Sequence, residues 1–425
     1  MTDSEDQDPA TLGDIDAPSC GEGTEADATA ETIFASPPAT ADLQSSGNEL
    51  HTITNTKYQV KAKLAPGRYR MTQSLGSGAM GTVKLADDLL IERQVAVKTL
   101  KPSGAISIGG RFLHEVRMQG QLQHPNIVTI YDAGLDEKES YAIVMEYIRG
   151  ENLATIIDRL RDNRVVEQER FPLEARVDIF VAVLNALSYA HNQGLLHCDV
   201  KPANVIIGEH GEVWLADWGI ARSKTTLQKK AATADSDSAR KNAAETLRES
   251  NGSKEPTKPA IFGTPRYMSP EQASGNLAEI DEKSDIYSAF ILLFEFLTLN
   301  EWISSQLTLQ DTLAAARTKS VPQIADAVFD QQAKSVPTEM RYFLQTGLAH
   351  DRSERFTSCE HALCELNRIR AGRFAVRCPI TFVKRIQNLL ADAIDRWPQR
   401  VIFALLLSVI IWGLGLAGGI LYALG

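Results

Sequence analysis

Apolar and polar positions change rhythm several times along this chain. The first 50 residues carry few bulky apolar side chains and cannot bury enough surface to fold alone, so a disordered tail is expected over 1–65. Two apolar-rich strand patterns follow, Thr82-Val83-Lys84-Leu85-Ala86 and Gln94-Val95-Ala96-Val97-Lys98. Arg111 to Met118 reads as a helix, and Asn204–Ile207 and Glu212–Leu215 read as strand pieces. Phe382, Ile386, Leu389, Leu390, Ile394 and Trp397 recur at helical spacing, which predicts an amphipathic helix over 380–400. That helix either lies along a membrane surface or packs on the preceding domain. Val401 to Leu424 is apolar and free of charge. As a helix it would be about 36 Å long, more than a hydrocarbon core of ~30 Å, and it reads as a membrane span over 401–424.

Charge sharpens this division. The net charge is −10, yet residues 1–50 hold twelve acids and no Lys or Arg, leaving about +2 for the rest. A nearly neutral body argues against nucleic acid as a partner. Lys384, Arg385, Arg396 and Arg400 precede the apolar span, which places its N-terminal side in the cytoplasm. Gly415 and Gly419 form a GxxxG spacing that can pair two such spans into a homodimer. No apolar run follows Met1, so no signal peptide is expected. The five cysteines form no framework, which suits a reducing compartment. Cys359, His361 and Cys364 allow a metal reading, but their helical context favours buried thiols.

The richest chemistry lies in Leu196-His197-Cys198-Asp199-Val200-Lys201-Pro202-Ala203-Asn204. An acid, a lysine and an amide on one short loop suit phosphoryl transfer. Asp199 can accept the proton of an attacking hydroxyl, Lys201 can neutralise the moving phosphate, and Asn204 can hold a metal ion. Upstream, Gly76-Ser77-Gly78-Ala79-Met80-Gly81-Thr82-Val83 fits G-x-G-x-x-G-x-V. Glycines there allow a tight turn whose backbone N–H groups approach phosphate oxygens. The same glycine spacing marks dinucleotide folds, but those need a following helix, and this chain continues into strands instead. Lys98 then stands on the next strand, Glu115 on the following helix is its candidate partner, and His114 is a surface residue. Asp217-Trp218-Gly219 follows two strand pieces, so Asp217 is a second candidate metal ligand.

Together these motifs resemble the eukaryotic-like (Hanks-type) serine/threonine protein kinases, especially bacterial membrane-anchored members. The resemblance covers roughly Tyr69 to Arg370. It takes in Gly263-Thr264-Pro265-Arg266-Tyr267-Met268-Ser269-Pro270-Glu271, similar to the family's substrate-binding segment. It also takes in Lys283 to Ser288, where Asp285 would brace the catalytic loop, and Asp351 to Phe356, where Arg355 would pair with Glu271. The resemblance implies an α+β bilobal fold, with a β-rich lobe at about 69–148 and a helical lobe at about 149–370. It implies ATP with Mg²⁺, or Mn²⁺ in its place, and protein substrates phosphorylated on Ser or Thr, the last because Lys201 and Thr264 follow the serine/threonine pattern. ATP would touch Leu75, Gly76, Ser77, Gly78, Ala79, Met80, Gly81, Thr82, Val83, Ala96, Lys98, Glu115, Glu146, Ile148 and Ile206. Met145 would guard the back pocket, and Glu151 resembles the acid that holds ribose or a basic substrate residue, or else is a solvent-facing helix start. Residues 222–261 would be a long insertion in the activation segment, either solvated or an autophosphorylation platform carrying Thr225, Thr226 and Thr233.

Two positions depart from the family pattern. Cys198 stands where an arginine usually clamps a phosphorylated loop, and Trp218 replaces a Phe. Neither removes a group from the chemistry. An active kinase at the cell membrane, single-pass and with its catalytic domain cytoplasmic, is the reading with all its parts present. A pseudokinase scaffold would be favoured by loss of Lys98, Asp199, Asn204 or Asp217, and all four are there.

Overall fold

The computed structural model describes residues 63–77, 81–100, 116–162, 165–218, 222–223, 263–319, 336–404, 406–408 and 410. Its first part is a five-stranded antiparallel sheet in the order β1-β2-β3-β5-β4. The strands are β1 (Tyr69–Ser77), β2 (Gly81–Asp88), β3 (Arg93–Leu100), β4 (Ile130–Leu135) and β5 (Tyr141–Glu146). Side chains alternate between the two faces of a strand. Val95 and Val97 of β3 therefore point into a small core with Ala86, Ala142 and Val144, while Ala96 and Lys98 point to the other face. Register ties this face together, with Val83 opposite Lys98 and Ala96 opposite Met145.

The expected tail overreaches by a few residues. Lys63 bridges to Leu135, the Leu64 N–H donates to the Leu135 carbonyl at 2.9 Å, and the Leu64 side chain is buried in the small core. One leucine suffices to close that core's edge, and the run before it is too polar to advertise it. The rest of the tail lies outside the described residues.

After β5 the chain becomes mainly helical. β6 (Gly150–Asn152) leads into α1 (Leu153–Arg161), then α2 (Val165–Arg170) and α3 (Leu173–Asn192). Asn152 caps α1 by accepting the Thr155 N–H, so the helix start belongs to Asn152 and not to Glu151. β7 (Leu195–Leu196), β8 (Val205–Gly208) and β9 (Val213–Leu215) follow, with β8 between β6 and β9, and β10 (Arg222–Ser223) beside β7. Then come α4 (Pro270–Ser274), α5 (Glu282–Thr298), α6 (Leu309–Thr318), α7 (Thr338–Gly347), α8 (Cys359–Arg370) and α9 (Pro379–Arg396).

Helix α5 is the axis of this lobe. Every residue from Ser284 to Thr298 is buried, as expected of a helix that is apolar nearly all round. Phe290 meets Phe180 of α3 edge-on at 5.2 Å and also touches Phe343 and Phe356. Gly347 at the end of α7 lies so close that a Cβ there would fall within 2.1 Å of the Phe290 ring. Among the described residues no helix is long and apolar enough to cross a membrane, and the expected span over 401–424 falls largely outside them.

Candidate active site

The loop from His197 to Asn204 hangs between β7 and β8, and α5 anchors it from below. The Asp285 carboxylate accepts the backbone N–H of His197 at 2.8 Å through Oδ2 and that of Cys198 at 2.8 Å through Oδ1. His191 Nε2 lies 2.9 Å from the same Oδ2. Burial pushes the Asp285 carboxyl up, but the His191 contact and these N–H groups outweigh it and hold it below the usual carboxylate range. The backbone needs this support. Cys198 has a φ of 63°, the left-handed region that a side chain disfavours.

His197 is fully buried, and burial lowers its pKa. Its Nδ1 accepts the Asp199 N–H at 3.2 Å, so the proton sits on Nε2, which donates to the Ala216 carbonyl at 3.1 Å. Trp218 packs its ring 4.5 Å from this imidazole and donates Nε1–H to the Leu215 carbonyl at 3.1 Å. The larger ring is thus accommodated in the interior, one residue after Asp217.

Asp199 is gripped at both oxygens. Oδ1 accepts the Thr264 N–H at 2.8 Å, and Oδ2 accepts Lys201 Nζ at 2.6 Å. Lys201 also donates to Thr264 Oγ1 at 2.7 Å, which closes a ring of three residues from two distant segments. Gly263 (φ 106°) permits this approach, since a Cβ there would come within 2.7 Å of the Cys198 carbonyl. Asn204 donates Nδ2–H to the Asp199 carbonyl at 2.9 Å, which presents its Oδ1 as the atom for a cation.

Lys98 forms an ion pair with Asp217 across the two lobes' facing surfaces. Burial raises the Asp217 carboxyl, and the Lys98 ammonium more than offsets it, so Asp217 is held ionised below its ordinary value. Asp217 too is left-handed, with a φ of 61°. Asn204 and Asp217 supply oxygen donors only, which suits a hard divalent cation. Their separation in sequence is bridged by one bond, from the Ala216 N–H to the Asn204 carbonyl at 2.8 Å.

The protein kinase domain family profile matches residues 69–366. The chain belongs to the protein kinase family. Its relatives include a probable serine/threonine-protein kinase of Streptomyces coelicolor, 33% identical over 69% of this chain and 38% of that protein. The serine/threonine-protein kinase PrkC of Bacillus subtilis is 35% identical over 56% of this chain and 31% of its own length. The PknI kinase domain of Mycobacterium tuberculosis gives a TM-score of 0.45 at 23% identity, over 72% of this chain and 97% of that one. The chain thus spans well under half the length of these two curated relatives. Membership implies ATP and a divalent metal, and the oxygen donors of Asn204 and Asp217 fit the latter.

Of the sequence-named kinase residues, Asp199, Lys201, Asn204 and Thr264 are joined by direct contacts, as are Lys98 and Asp217. Val83, Ala96, Met145 and Ile206 lie on β2, β3, β5 and β8. Glu146 gives its N–H to the Thr129 carbonyl at 2.9 Å at the start of the segment joining the lobes, where Ile148 follows. Leu75, Gly76 and Ser77 end β1, and Gly81 and Thr82 begin β2. Gly81 admits no side chain, because a Cβ would meet the Thr99 carbonyl at 2.2 Å. Gly78, Ala79, Met80, Glu115, Gly219, Thr225, Thr226 and Thr233 lie outside the described residues. Glu151 pairs with Arg159 and Arg170, which holds its pKa low, the Arg159 contact contributing most.

Glu271 and Arg355 form a buried ion pair at 2.9 Å, and Ser284 Oγ donates to Glu271 at 2.6 Å. Burial raises the Glu271 carboxyl, and Arg355 with Ser284 brings it below its ordinary value. Sequence reasoning missed two supports of this kinase loop. His191 closes the Asp285 cluster, and Gln272 donates to the Cys198 carbonyl at 3.2 Å. His191 is anonymous inside a helix, while Gln272 had a weak signal, the Ser269–Gln272 capping box. Cys359 is buried 3.7 Å from His191 Nδ1, and burial raises its thiol pKa. Among the described residues no group of three or more His, Cys, Asp or Glu is placed to hold a metal.

Proposed function

We propose that this chain is a serine/threonine protein kinase that transfers the ATP γ-phosphate to Ser or Thr hydroxyls of proteins, anchored to the cell membrane by residues 401–424 with its catalytic domain in the cytoplasm. The observation that carries the catalytic part is the closed ring of Asp199, Lys201 and Thr264 beside the Lys98–Asp217 pair. Asp199 orients the substrate hydroxyl and takes up its proton as the O–P bond forms. Lys201 then neutralises the transferring phosphoryl group, and Lys98 positions the nucleotide phosphates. A divalent cation such as Mg²⁺, held by Asn204 and Asp217, would supply charge neutralisation between the phosphates. Lys201 two residues after Asp199 and Thr264 before Pro265 follow the family's serine/threonine pattern, which supports Ser and Thr over Tyr as acceptor. Apolar Val83, Ala96, Met145 and Ile206 would sandwich adenine. The anchor is supported by the charge-free run 401–424 and the basic residues before it. The GxxxG spacing supports pairing of two copies within the membrane.

The test is incubation of the purified chain with labelled ATP, Mg²⁺ and a protein substrate. Asp199→Asn should keep ATP binding and lower turnover by roughly 10²–10⁴. Unimpaired phosphorylation by that variant would overturn the assignment. Resistance of the full chain to alkaline carbonate extraction tests the anchor separately.

A further inference from the structure

Helix α9 is mounted the wrong way round for a surface helix. An amphipathic helix on a globular domain normally buries its apolar stripe and turns its polar stripe to water. Here the polar side faces the domain. Thr381 is fully buried and accepts the backbone N–H groups of Arg377 and Cys378, both at 3.0 Å. Lys384 pairs with Glu339 of α7 at 2.8 Å, and Arg385 donates to the Phe374 carbonyl at 2.7 Å. Asn388 sits against Gly372, where a Cβ would collide with it. These four recur at i, i+3, i+4 and i+7 and define one face.

The opposite face carries Phe382, Ile386 and Leu389, each between 48% and 59% exposed, with Val383, Leu390 and Ile394 filling the stripe and an exposed Trp397 just past the helix end. Such a contiguous apolar surface marks contact with an apolar phase. We infer that this stripe lies in the interfacial layer of the lipid bilayer, so that α9 clamps the large lobe to the membrane in a fixed orientation instead of leaving it on a loose tether. The inference rests on the membrane-anchored reading and adds a second, separable contact.

Three features select a bilayer as the occupant. The stripe runs directly into the charge-free segment 401–424, whose described beginning exposes Ile402, Phe403, Leu406 and Leu407. The helix breaks at Trp397, with Pro398 opening the next helical stretch, so an in-plane helix can pass into a crossing one. Arg396 and Arg400 both place guanidiniums near the Trp397 ring, at 5.7 and 5.6 Å from its centre. A tryptophan flanked by arginines at this junction is the composition of the headgroup level. Because Lys384 and Arg385 are already committed to the domain, the clamp transmits orientation from lipid to catalytic lobe.

The test places the photo-crosslinking residue p-benzoylphenylalanine at Phe382, Leu389 or Asn388 of the full chain, reconstituted in vesicles of phosphatidylethanolamine and phosphatidylglycerol. After irradiation, mass spectrometry should find phospholipid adducts from positions 382 and 389, and from position 388 only crosslinks within the chain. Adding Ile386→Glu to the Leu389-labelled protein should abolish the lipid adducts while carbonate resistance and soluble-substrate phosphorylation persist. Crosslinks from 382 and 389 to a second copy would overturn the inference in favour of a dimer face. Absence of lipid adducts from a chain that still resists carbonate would overturn it and leave the anchor standing. Lipid adducts from a chain that carbonate extracts would support the clamp and sink the anchor, and loss of both would overturn both.

Discussion

Replacing Asp285 by asparagine tests the claim that α5 holds the catalytic loop. The carboxylate offers two oxygens to three donors, the N–H groups of His197 and Cys198 and the Nε2 of His191. An amide offers one oxygen. Whichever way it turns, its NH₂ faces a donor. The less costly orientation keeps the oxygen toward His197 and His191 and sets the NH₂ against the Cys198 N–H. That removes one hydrogen bond to a charged acceptor and weakens two others, so Asp285→Asn should cost about 2–4 kcal/mol of stability. It also frees the strained backbone at Cys198, one residue before Asp199. A displacement of about 1 Å there should lower kcat by roughly 10²-fold, while KM for ATP changes little because Lys98 and Asp217 are not touched. The pH dependence follows from the same cluster. Folding holds the Asp285 pKa below the ordinary 3.8, so its stabilisation is complete above that value and fades as acid drives pH down through the folded-state pKa. Denaturant unfolding followed from pH 7 down through 3.8 to below the folded-state pKa should therefore show a shallower acid decline in the variant, with steady-state kinetics run alongside at neutral pH. A stability loss under about 0.5 kcal/mol with an unchanged kcat would refute the reasoning.

Other perturbations probe other joints. Gly347→Ala drives a methyl into the Phe290 ring and should cost about 1–3 kcal/mol by overpacking, read by denaturant midpoint, with activity retained in the folded fraction. Arg355→Met strands the buried Glu271 charge and should cost about 3–5 kcal/mol, and adding Glu271→Leu should recover part of that loss in the same unfolding assay. Phosphatase treatment should leave the initial rate on an added protein substrate similar, because Cys198 stands where the family's phosphate-clamping arginine would be and packs in an apolar cluster with Leu196 and Ile280. A hundredfold fall would show that loop phosphate is read from another position.

The proposed catalytic groups stood out in the sequence because phosphoryl transfer demands rare residue types at short spacing. Asp199, Lys201 and Asn204 share one loop, and alternation on β3 alone sends Lys98 away from the core that holds Val95 and Val97. The Glu271–Arg355 pair was legible for a different reason, since its ends lie 84 residues apart and only the family resemblance linked them. Other features needed the third dimension. The partners that fix the loop, His191 and Gln272, are ordinary helical residues until α3 and α4 are packed beside it. The order of Leu64 depends on an edge offered by Leu135, far along the chain. The periodicity of α9 established that it has two faces but not which one the domain takes. A helical stripe records only that apolar groups lie together. Tertiary packing decided the matter, through Glu339, the Phe374 carbonyl and the close approach at Gly372, by seating the polar side and leaving the apolar side outward.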